Sequence, residues 1–263
     1  MLAQRVASAV VGVPVILLLI YLGGIWYVAV VAAILAVASL EFQHARRPWL
    51  DPVCVLIALL VAGIAVGAHI GRYEWLAWIA AGLALPLLAV AISPTEDGAA
   101  ADAVWALGGV AYVGLLGSFL VLLRDVDFDG RSWLYLAVLS TFAVDTASYF
   151  TGRAFGKHAL APRISPKKTI EGFAGGWIAG AAAVVALHYA FDLPFEPWRL
   201  SLLAALLPIA AALGDLTESA IKRAMHIKDA SELIPGHGGV LDRLDSILFV
   251  CALVYAFTQW AGY

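Results

Sequence analysis

Residues 52–70 read PVCVLIALLVAGIAVGAHI and contain no aspartate, glutamate, lysine or arginine. About 20 apolar residues in an α-helix are enough to cross the hydrocarbon core of a bilayer. Similar stretches, separated by Gly, Pro or charged residues, recur along the chain and predict nine helical spans. The spans are residues 6–22, 25–40, 52–70, 75–92, 104–123, 132–150, 170–190, 199–219 and 240–260. The predicted fold class is therefore all-α, a polytopic transmembrane helical bundle of about nine transmembrane helices.

The overall composition supports the same prediction. Of the 263 residues, 63% are hydrophobic and only 13% are charged, and the mean hydropathy is +0.91. Soluble domains carry roughly 25% charged residues, so the composition excludes a water-soluble fold. Cys54 and Cys251 lie inside apolar runs, with no spacing that indicates a disulfide framework or a zinc site. The spans leave no room for a soluble catalytic domain, so any chemistry must use charged residues of the bundle.

The dense polar segments lie in the second half of the chain. Residues 1–130 form mainly hydrophobic helices with few charges and are predicted to be a scaffolding and dimerisation region. Residues 131–263 alternate apolar spans with polar loops and are predicted to be the catalytic transmembrane region, with these loops facing the cytoplasm.

The basic residues divide unevenly between the two sides of the predicted bundle. Twelve of the 16 fall on the side of the N-terminus and of both long polar loops. These are Arg5, Arg46, Arg47, Arg153, Lys157, Arg163, Lys167, Lys168, Lys222, Arg223, Lys228 and Arg243. Cytoplasmic loops of membrane proteins carry an excess of Lys and Arg. The pattern predicts a cytoplasmic N-terminus, an external C-terminus and both long polar loops facing the cytoplasm. This topology fits an integral protein of a bacterial-type cytoplasmic (inner) membrane with its active site facing the cytoplasm.

The first polar segment begins within an apolar span at Asp145 and continues to Gly172. A carboxylate at such a depth is costly unless it is paired or bound to a cation, so Asp145 is a candidate metal ligand. Ser165, Lys167 and Lys168 follow, just before a predicted helix. Hydroxyls and lysines beside a helix N-terminus favour anions, which makes phosphate the natural ligand of this segment.

The second polar segment, residues 214–246, carries acids and bases at helical spacing. One helix face would present residues three and four apart, namely Asp215, Ser219, Lys222 and Arg223. Asp242 and Asp245 likewise lie one turn apart. Carboxylates beside cations suit a site for Mg²⁺ and a polyphosphate, because oxygen ligands hold Mg²⁺ and the cations neutralise the remaining charge.

A Gly-rich turn precedes the second acidic pair. Gly238 and Gly239 allow a ligand to approach the backbone closely at a helix N-terminus. His237 either contacts phosphate or caps the turn. A rival interpretation is that the basic residues of the first segment merely contact anionic headgroups, while the acids and bases of the second segment neutralise one another at the membrane surface.

The second segment resembles the signature of the phosphatidate cytidylyltransferases, also called CDP-diacylglycerol synthases. That signature reads Ser-x-x-Lys-Arg-x4-Lys-Asp, then a spacer, then His-Gly-Gly-x-x-Asp-Arg-x-Asp. The chain fills every fixed position, with Ser219, Lys222, Arg223, Lys228, Asp229, His237, Gly238, Gly239, Asp242, Arg243 and Asp245. The segment from Ser165 to Thr169 is also similar to the family's, so the resemblance covers roughly residues 140–250. The first 130 residues match only in being hydrophobic.

The resemblance implies a reaction of CTP with phosphatidate that yields CDP-diacylglycerol and pyrophosphate in phospholipid biosynthesis. It implies a requirement for Mg²⁺ and a second cation, for which K⁺ is the candidate. It also implies a homodimer that works among membrane lipids and has no nucleic-acid partner.

Roles for the site residues follow from the resemblance and the charge pattern together. The metal-ligand set is Asp215, Asp242 and Asp245, with Asp145 as an additional candidate. The predicted catalytic residues are these first three aspartates with Lys222 and Arg223. The predicted substrate-binding residues are Ser165, Lys167, Lys168, Ser219, His237, Gly238, Gly239 and Arg243.

Two rival functions remain open at this point. A cation-coupled transporter would also place acids in membrane helices, although transporters tend to hold them near the midplane. Here they cluster at predicted cytoplasmic helix ends, which favours an enzyme that uses a soluble nucleotide. A related CTP-dependent enzyme that acts on another lipid is the nearer rival.

Overall fold

The computed structural model describes residues 2–96, 98–225, 227, 231, 233 and 238–263, with side chains described from residue 12 onward. In these ranges the chain is mainly helical. The helices are α1 Leu2–Leu22, α2 Gly24–His44, α3 Pro52–Ile70, α4 Arg72–Ile92, α5 Ala99–Gly109, α6 Leu116–Arg124, α7 Gly130–Phe155, α8 Ile170–Ala190, α9 Pro197–Ala224 and α10 Leu241–Ala261. A π-helical segment, Val110–Leu115, joins α5 to α6. Each of the nine predicted spans coincides with a helix or, for residues 104–123, with this continuous α5–α6 segment.

Seven helical segments in the described chain are long and apolar enough to cross a membrane. They are Gly24–His44, Pro52–Ile70, Arg72–Ile92, Ala99–Arg124, Ile170–Ala190, Pro197–Ala224 and Leu241–Ala261. Helix α7 is not among them, and the described side chains of α1 give only a shorter apolar helix, Gly12–Leu22. The all-α membrane fold is therefore confirmed, whereas the count of nine spans stays a prediction.

Several helices begin where the sequence provides a cap or a proline. The carboxylate of Asp51 accepts a hydrogen bond from the Val53 backbone N–H, 2.8 Å away, at the start of α3. The hydroxyl of Thr169 accepts one from Gly172 N, 3.1 Å away, at the start of α8. Such caps satisfy backbone donors that have no partner within the helix.

A short β-hairpin interrupts the helices between α7 and α8. Strand β1, Ala159–Ala161, pairs antiparallel with β2, Ser165–Thr169. The sequence pattern predicts a polar loop here, so the two strands are a correction to it. The hairpin gives the two lysines at 167 and 168 a fixed place directly before α8.

The described residues form two compact units. The first lies within Met1–Asp125 and Asp229–Arg243, and the second lies within Val126–Lys228 and Leu244–Tyr263. Helix α10 thus begins in the first unit and continues in the second. The scaffolding and catalytic roles assigned to residues 1–130 and 131–263 stay predictions.

In the first unit, a buried ion-pair network joins the α2–α3 connection to α5. A guanidinium nitrogen of Arg47 lies 2.9 Å from Asp102 Oδ2, and Arg46 Nε lies 3.2 Å from Asp102 Oδ1. Asp102 is only 3% exposed, and Thr95 donates to it through both its backbone N–H and its hydroxyl. Because the carboxylate has several donors, the cost of burying its charge is offset.

In the second unit, glycines allow α7 and α8 to pack closely. Gly172, Gly176 and Gly180 recur every four residues on α8. A β carbon on Gly172 would lie 2.9 Å from the Ser148 carbonyl oxygen, and one on Gly176 would lie 2.9 Å from that of Val144. Small residues at such spacing let membrane helices approach backbone to backbone.

Candidate functional site

Three carboxylates of the second unit converge near the C-terminal end of α9. Asp215 and Glu218 lie one turn apart on α9, and Asp245 lies in the second turn of α10. Each offers one carboxylate oxygen within 4.8 Å of the others. We call these three residues the carboxylate cluster. Glu218 is the most buried member, with 1% exposure, whereas the other two are partly exposed.

A glycine makes the approach of α9 to α10 possible at this point. A β carbon on Gly214 would lie 2.9 Å from Ser246 Cα and would overlap the backbone carbonyl oxygen of Asp245. Backbone atoms cannot move aside as the tip of a side chain can. The glycine next to Asp215 therefore lets the two helices bring their carboxylates together.

Two lysines balance part of the negative charge. Lys168 Nζ lies 2.6 Å from Asp215 Oδ2, and Lys222 Nζ lies 2.7 Å from Glu218 Oε2. Lys168 comes from β2, so the hairpin delivers one cation to the cluster while α9 supplies the other. The site thus combines carboxylate oxygens with ammonium groups, as the sequence analysis predicted for a metal and phosphate site. The binding of a metal ion and phosphate by these residues stays a prediction.

The other predicted residues of this unit lie on the hairpin, on α9 and on α7. Arg223 Nε donates to the backbone carbonyl of Ile164, 3.2 Å away, which ties α9 to the hairpin turn. Lys167 is exposed, and Ser165 and Ser219 are partly exposed. Asp145 is exposed on α7 and is not a member of the carboxylate cluster.

The described end of the Gly-rich turn lies in the first unit. Gly238 has φ +78°, a backbone conformation that favours glycine, and Gly239 N donates to Asp242 Oδ2 over 2.7 Å. Asp242 is 7% exposed, whereas Arg243 is exposed. Asp242 therefore holds the turn at the start of α10, a role that the sequence analysis did not assign to it.

The residues Lys228, Asp229 and His237 lie outside the described residues. Their predicted roles stay predictions.

Two buried carboxylates, Glu218 and Glu41, were not predicted as site residues from the sequence. Glu218 stands three residues after Asp215 and four before Lys222, so the helical spacing that was used for its neighbours also applied to it. Glu41, on α2, contacts the turn before α10 through the bonds described below. No local pattern connects Glu41 with a segment some 200 positions later in the chain.

The donor set of the carboxylate cluster fits a hard divalent cation. Mg²⁺ prefers oxygen ligands and is commonly held by one or two carboxylates together with water and substrate phosphates. The three oxygens of Asp215, Glu218 and Asp245 meet that requirement, and the neighbouring lysines suit phosphate oxygens.

Comparisons with known proteins point to the same chemistry. The model of the family described as the cytidylyltransferase family matches residues 3–261. A Staphylococcus haemolyticus protein named phosphatidate cytidylyltransferase is 42% identical over 153 residues, which cover 58% of this chain and 58% of that protein. A Bacillus subtilis protein of the same name is 38% identical over 144 residues, covering 55% and 54%. The chain thus spans somewhat more than half the length of these relatives.

The family match covers nearly the whole chain and includes both polar segments. The relatives are bacterial, and the apolar helices are those of an integral membrane protein. A nucleotidyl-transferring family also agrees with a divalent cation at an acidic cluster. The chain belongs to the cytidylyltransferase family.

Proposed function

We propose that the protein is a phosphatidate cytidylyltransferase that converts CTP and phosphatidate to CDP-diacylglycerol and pyrophosphate in phospholipid biosynthesis. The observation that carries this proposal is the carboxylate cluster with Lys168 and Lys222 beside it, in a chain of this family. Relatives with 38–42% identity bear the name of that enzyme.

Asp215, Glu218 and Asp245 would hold the Mg²⁺, and Asp242 and Asp145 remain predicted ligands. Mg²⁺ at this place would neutralise the charge of the triphosphate and orient it. A second cation, with K⁺ as the candidate, belongs to the same proposal.

The basic residues bind and orient the phosphates. Lys168 and Lys222 already lie beside the carboxylates, within 2.7 Å of their oxygens, so both ammonium groups can reach a phosphate held there. Arg223 and Lys167 lie on the exposed side of the same region. Ser165 and Ser219 supply hydroxyl donors, and the turn at 237–239 with Arg243 completes the predicted substrate-binding set.

The reaction needs no strong general base, because phosphatidate carries an ionised phosphate oxygen. That oxygen attacks the α-phosphorus of CTP, a new P–O bond forms, and the bond to the β-phosphate breaks as pyrophosphate leaves. Positioning and charge neutralisation supply the catalysis. The described part of the site offers lysines and carboxylates for this task.

The cluster is proposed to face the cytoplasm in an inner membrane, where CTP is available. Contacts within the units support the alternating topology. In the first unit, Arg47 pairs with Asp102. Two predicted spans, 52–70 and 75–92, separate these residues, so the alternation of spans puts both on the cytoplasmic side. Arg124 Nε donates to the Ile20 carbonyl over 2.8 Å, and the same alternation puts both of these span ends on the external side. A homodimer without a nucleic-acid partner is proposed from the family resemblance.

The test is to give purified protein labelled CTP, Mg²⁺ and a panel of phosphorylated and unphosphorylated lipids. We expect label to enter lipid only with phosphatidate, accompanied by pyrophosphate. Label in another lipid would indicate a related CTP-dependent enzyme. A transporter would incorporate none and would instead move a cation across proteoliposomes, an outcome that would overturn the proposal.

A further inference from the structure

Glu41 is a buried carboxylate within residues 1–130, the predicted scaffolding and dimerisation region. It lies near the C-terminal end of α2 and is 1% exposed. A buried carboxylate is costly unless hydrogen-bond donors surround it. All the Glu41 contacts described below lie within the first unit.

The donors to Glu41 come from the segment that leads into α10. Val240 N lies 2.9 Å from Glu41 Oε1, and Leu241 N lies 2.7 Å from Oε2. The Ser231 hydroxyl donates to Oε1 over 2.5 Å. Backbone N–H groups at a helix N-terminus have no partner within the helix and favour negative charge. Glu41 therefore caps α10 from a distant part of the chain.

The same carboxylate explains why glycine stands at position 239. A β carbon on Gly239 would lie 2.7 Å from Glu41 Oε2 and 2.8 Å from Oε1. A flexible carboxylate could swing away, but Glu41 is buried and fixed by three hydrogen bonds. Gly239 N meanwhile donates to Asp242, so one turn of backbone is held by Glu41 and Asp242 together.

We propose that Glu41 is a positioning residue for nucleotidyl transfer, because it fixes the Gly238–Gly239 turn and the first turn of α10. Asp242 stands in this first turn and belongs to the same unit as Glu41, so the orientation of its carboxylate depends on how α10 begins. The inference rests on the proposed function.

The test compares wild type with Glu41→Gln in detergent. The amide keeps one acceptor oxygen but places an NH₂ group against backbone donors, so it cannot serve both Val240 and Leu241. Residues that orient metal ligands typically affect metal affinity or activity by about 10- to 100-fold. We expect the Mg²⁺ concentration for half-maximal rate to rise by about ten-fold or more, with a lower kcat. We also expect faster amide hydrogen exchange at residues 240–241. Glu41→Asp, which keeps the charge on a shorter side chain, should recover part of both effects.

Asp102→Asn is the matched control, because Asp102 is an equally buried, multiply hydrogen-bonded carboxylate of the same unit. It should lower the thermal stability, but the protein that stays folded should need the wild-type Mg²⁺ concentration for half-maximal rate. The inference would be overturned if folded Glu41→Gln kept both the wild-type dependence of the rate on Mg²⁺ and the wild-type amide hydrogen exchange at residues 240–241. If Glu41→Gln does not fold, Glu41→Asp decides by the same two measurements. If wild type turns over no CTP, the proposed function fails. The contact of Glu41 with the Val240 and Leu241 amides is then tested by hydrogen exchange alone, and unchanged exchange in Glu41→Gln would refute it.

Discussion

Lys168 forms an ion pair with Asp215, with Nζ 2.6 Å from Oδ2, and thereby brings a cation from the β-hairpin to a carboxylate of α9. Both side chains are partly exposed, at 25% and 35%. Ion pairs of this kind contribute only about 0–1 kcal/mol to folding. The ion pair therefore contributes little to the free energy of folding, and this favours a role for Lys168 in ligand binding.

Replacing Lys168 with Gln should weaken the binding of CTP. We expect the KM for CTP to rise by about ten-fold, which corresponds to about 1.4 kcal/mol, because a phosphate loses a cationic partner. Lys168→Arg keeps the charge and should retain more activity. Lys157→Gln is the control, since the Lys157 side chain is exposed while its backbone N–H donates to Glu171. Steady-state kinetics provide the measurement. An unchanged KM in Lys168→Gln would assign the ion pair a structural role alone.

Gly214→Ala should separate α9 from α10. Alanine in a helix interior is ordinarily about 1 kcal/mol more favourable than glycine. Here its methyl group would meet the backbone of Asp245 and Ser246, and overpacking costs about 1–3 kcal/mol. We expect a lower unfolding temperature in detergent and a loss of turnover. Gly108→Ala is the control, because its nearest contact, the Phe42 ring, would be at an ordinary 3.8 Å. Equal stability of the two variants would contradict the close approach.

Single cysteines should report the topology. After replacement of the buried Cys54 and Cys251, a membrane-impermeant thiol reagent should reach His158→Cys only from the cytoplasmic side. It should reach Glu196→Cys only from outside. Both original side chains are exposed, so the new thiols should be accessible. Labelling of both from the same side would refute the predicted arrangement of α8, which connects them.

The stereochemistry of transfer should show inversion at the α-phosphorus. Direct attack by phosphatidate is a single displacement, whereas a cytidylyl-enzyme would require two displacements and would give retention. A CTP analogue that is chiral at the α-phosphorus distinguishes the two. Retention would point to a nucleophilic residue of the protein and would refute direct transfer.

The sequence predicted the helices, whereas the roles of the predicted site residues stay predictions. Every predicted span lies on a helical segment, because the spans were predicted from the length of apolar runs, which is a local property of the sequence. Asp215 and Asp245 meet as the family resemblance suggested. The hairpin was missed because strands of three and five residues leave almost no pattern. Glu41 was missed because its partners follow some 200 positions later and are partly backbone amides, which carry no sequence signal.

The central claim is that the carboxylates at the start of α10 serve a metal-dependent transfer. Its most direct test is the initial rate of CDP-diacylglycerol formation against Mg²⁺ concentration, measured for wild type, Asp245→Asn and Asp242→Asn, with thermal unfolding of each. Asn keeps the shape but removes the charge, so a metal held mainly by carboxylates should bind far more weakly. Asp127→Asn, in the exposed connection between α6 and α7, is the control.

We predict that both substitutions on α10 abolish nearly all turnover in folded protein, while Asp127→Asn retains the wild-type rate. If these aspartates served only structural ion pairs, their loss would lower stability more than activity. Wild-type rates and Mg²⁺ dependence in folded Asp245→Asn and Asp242→Asn would contradict the account.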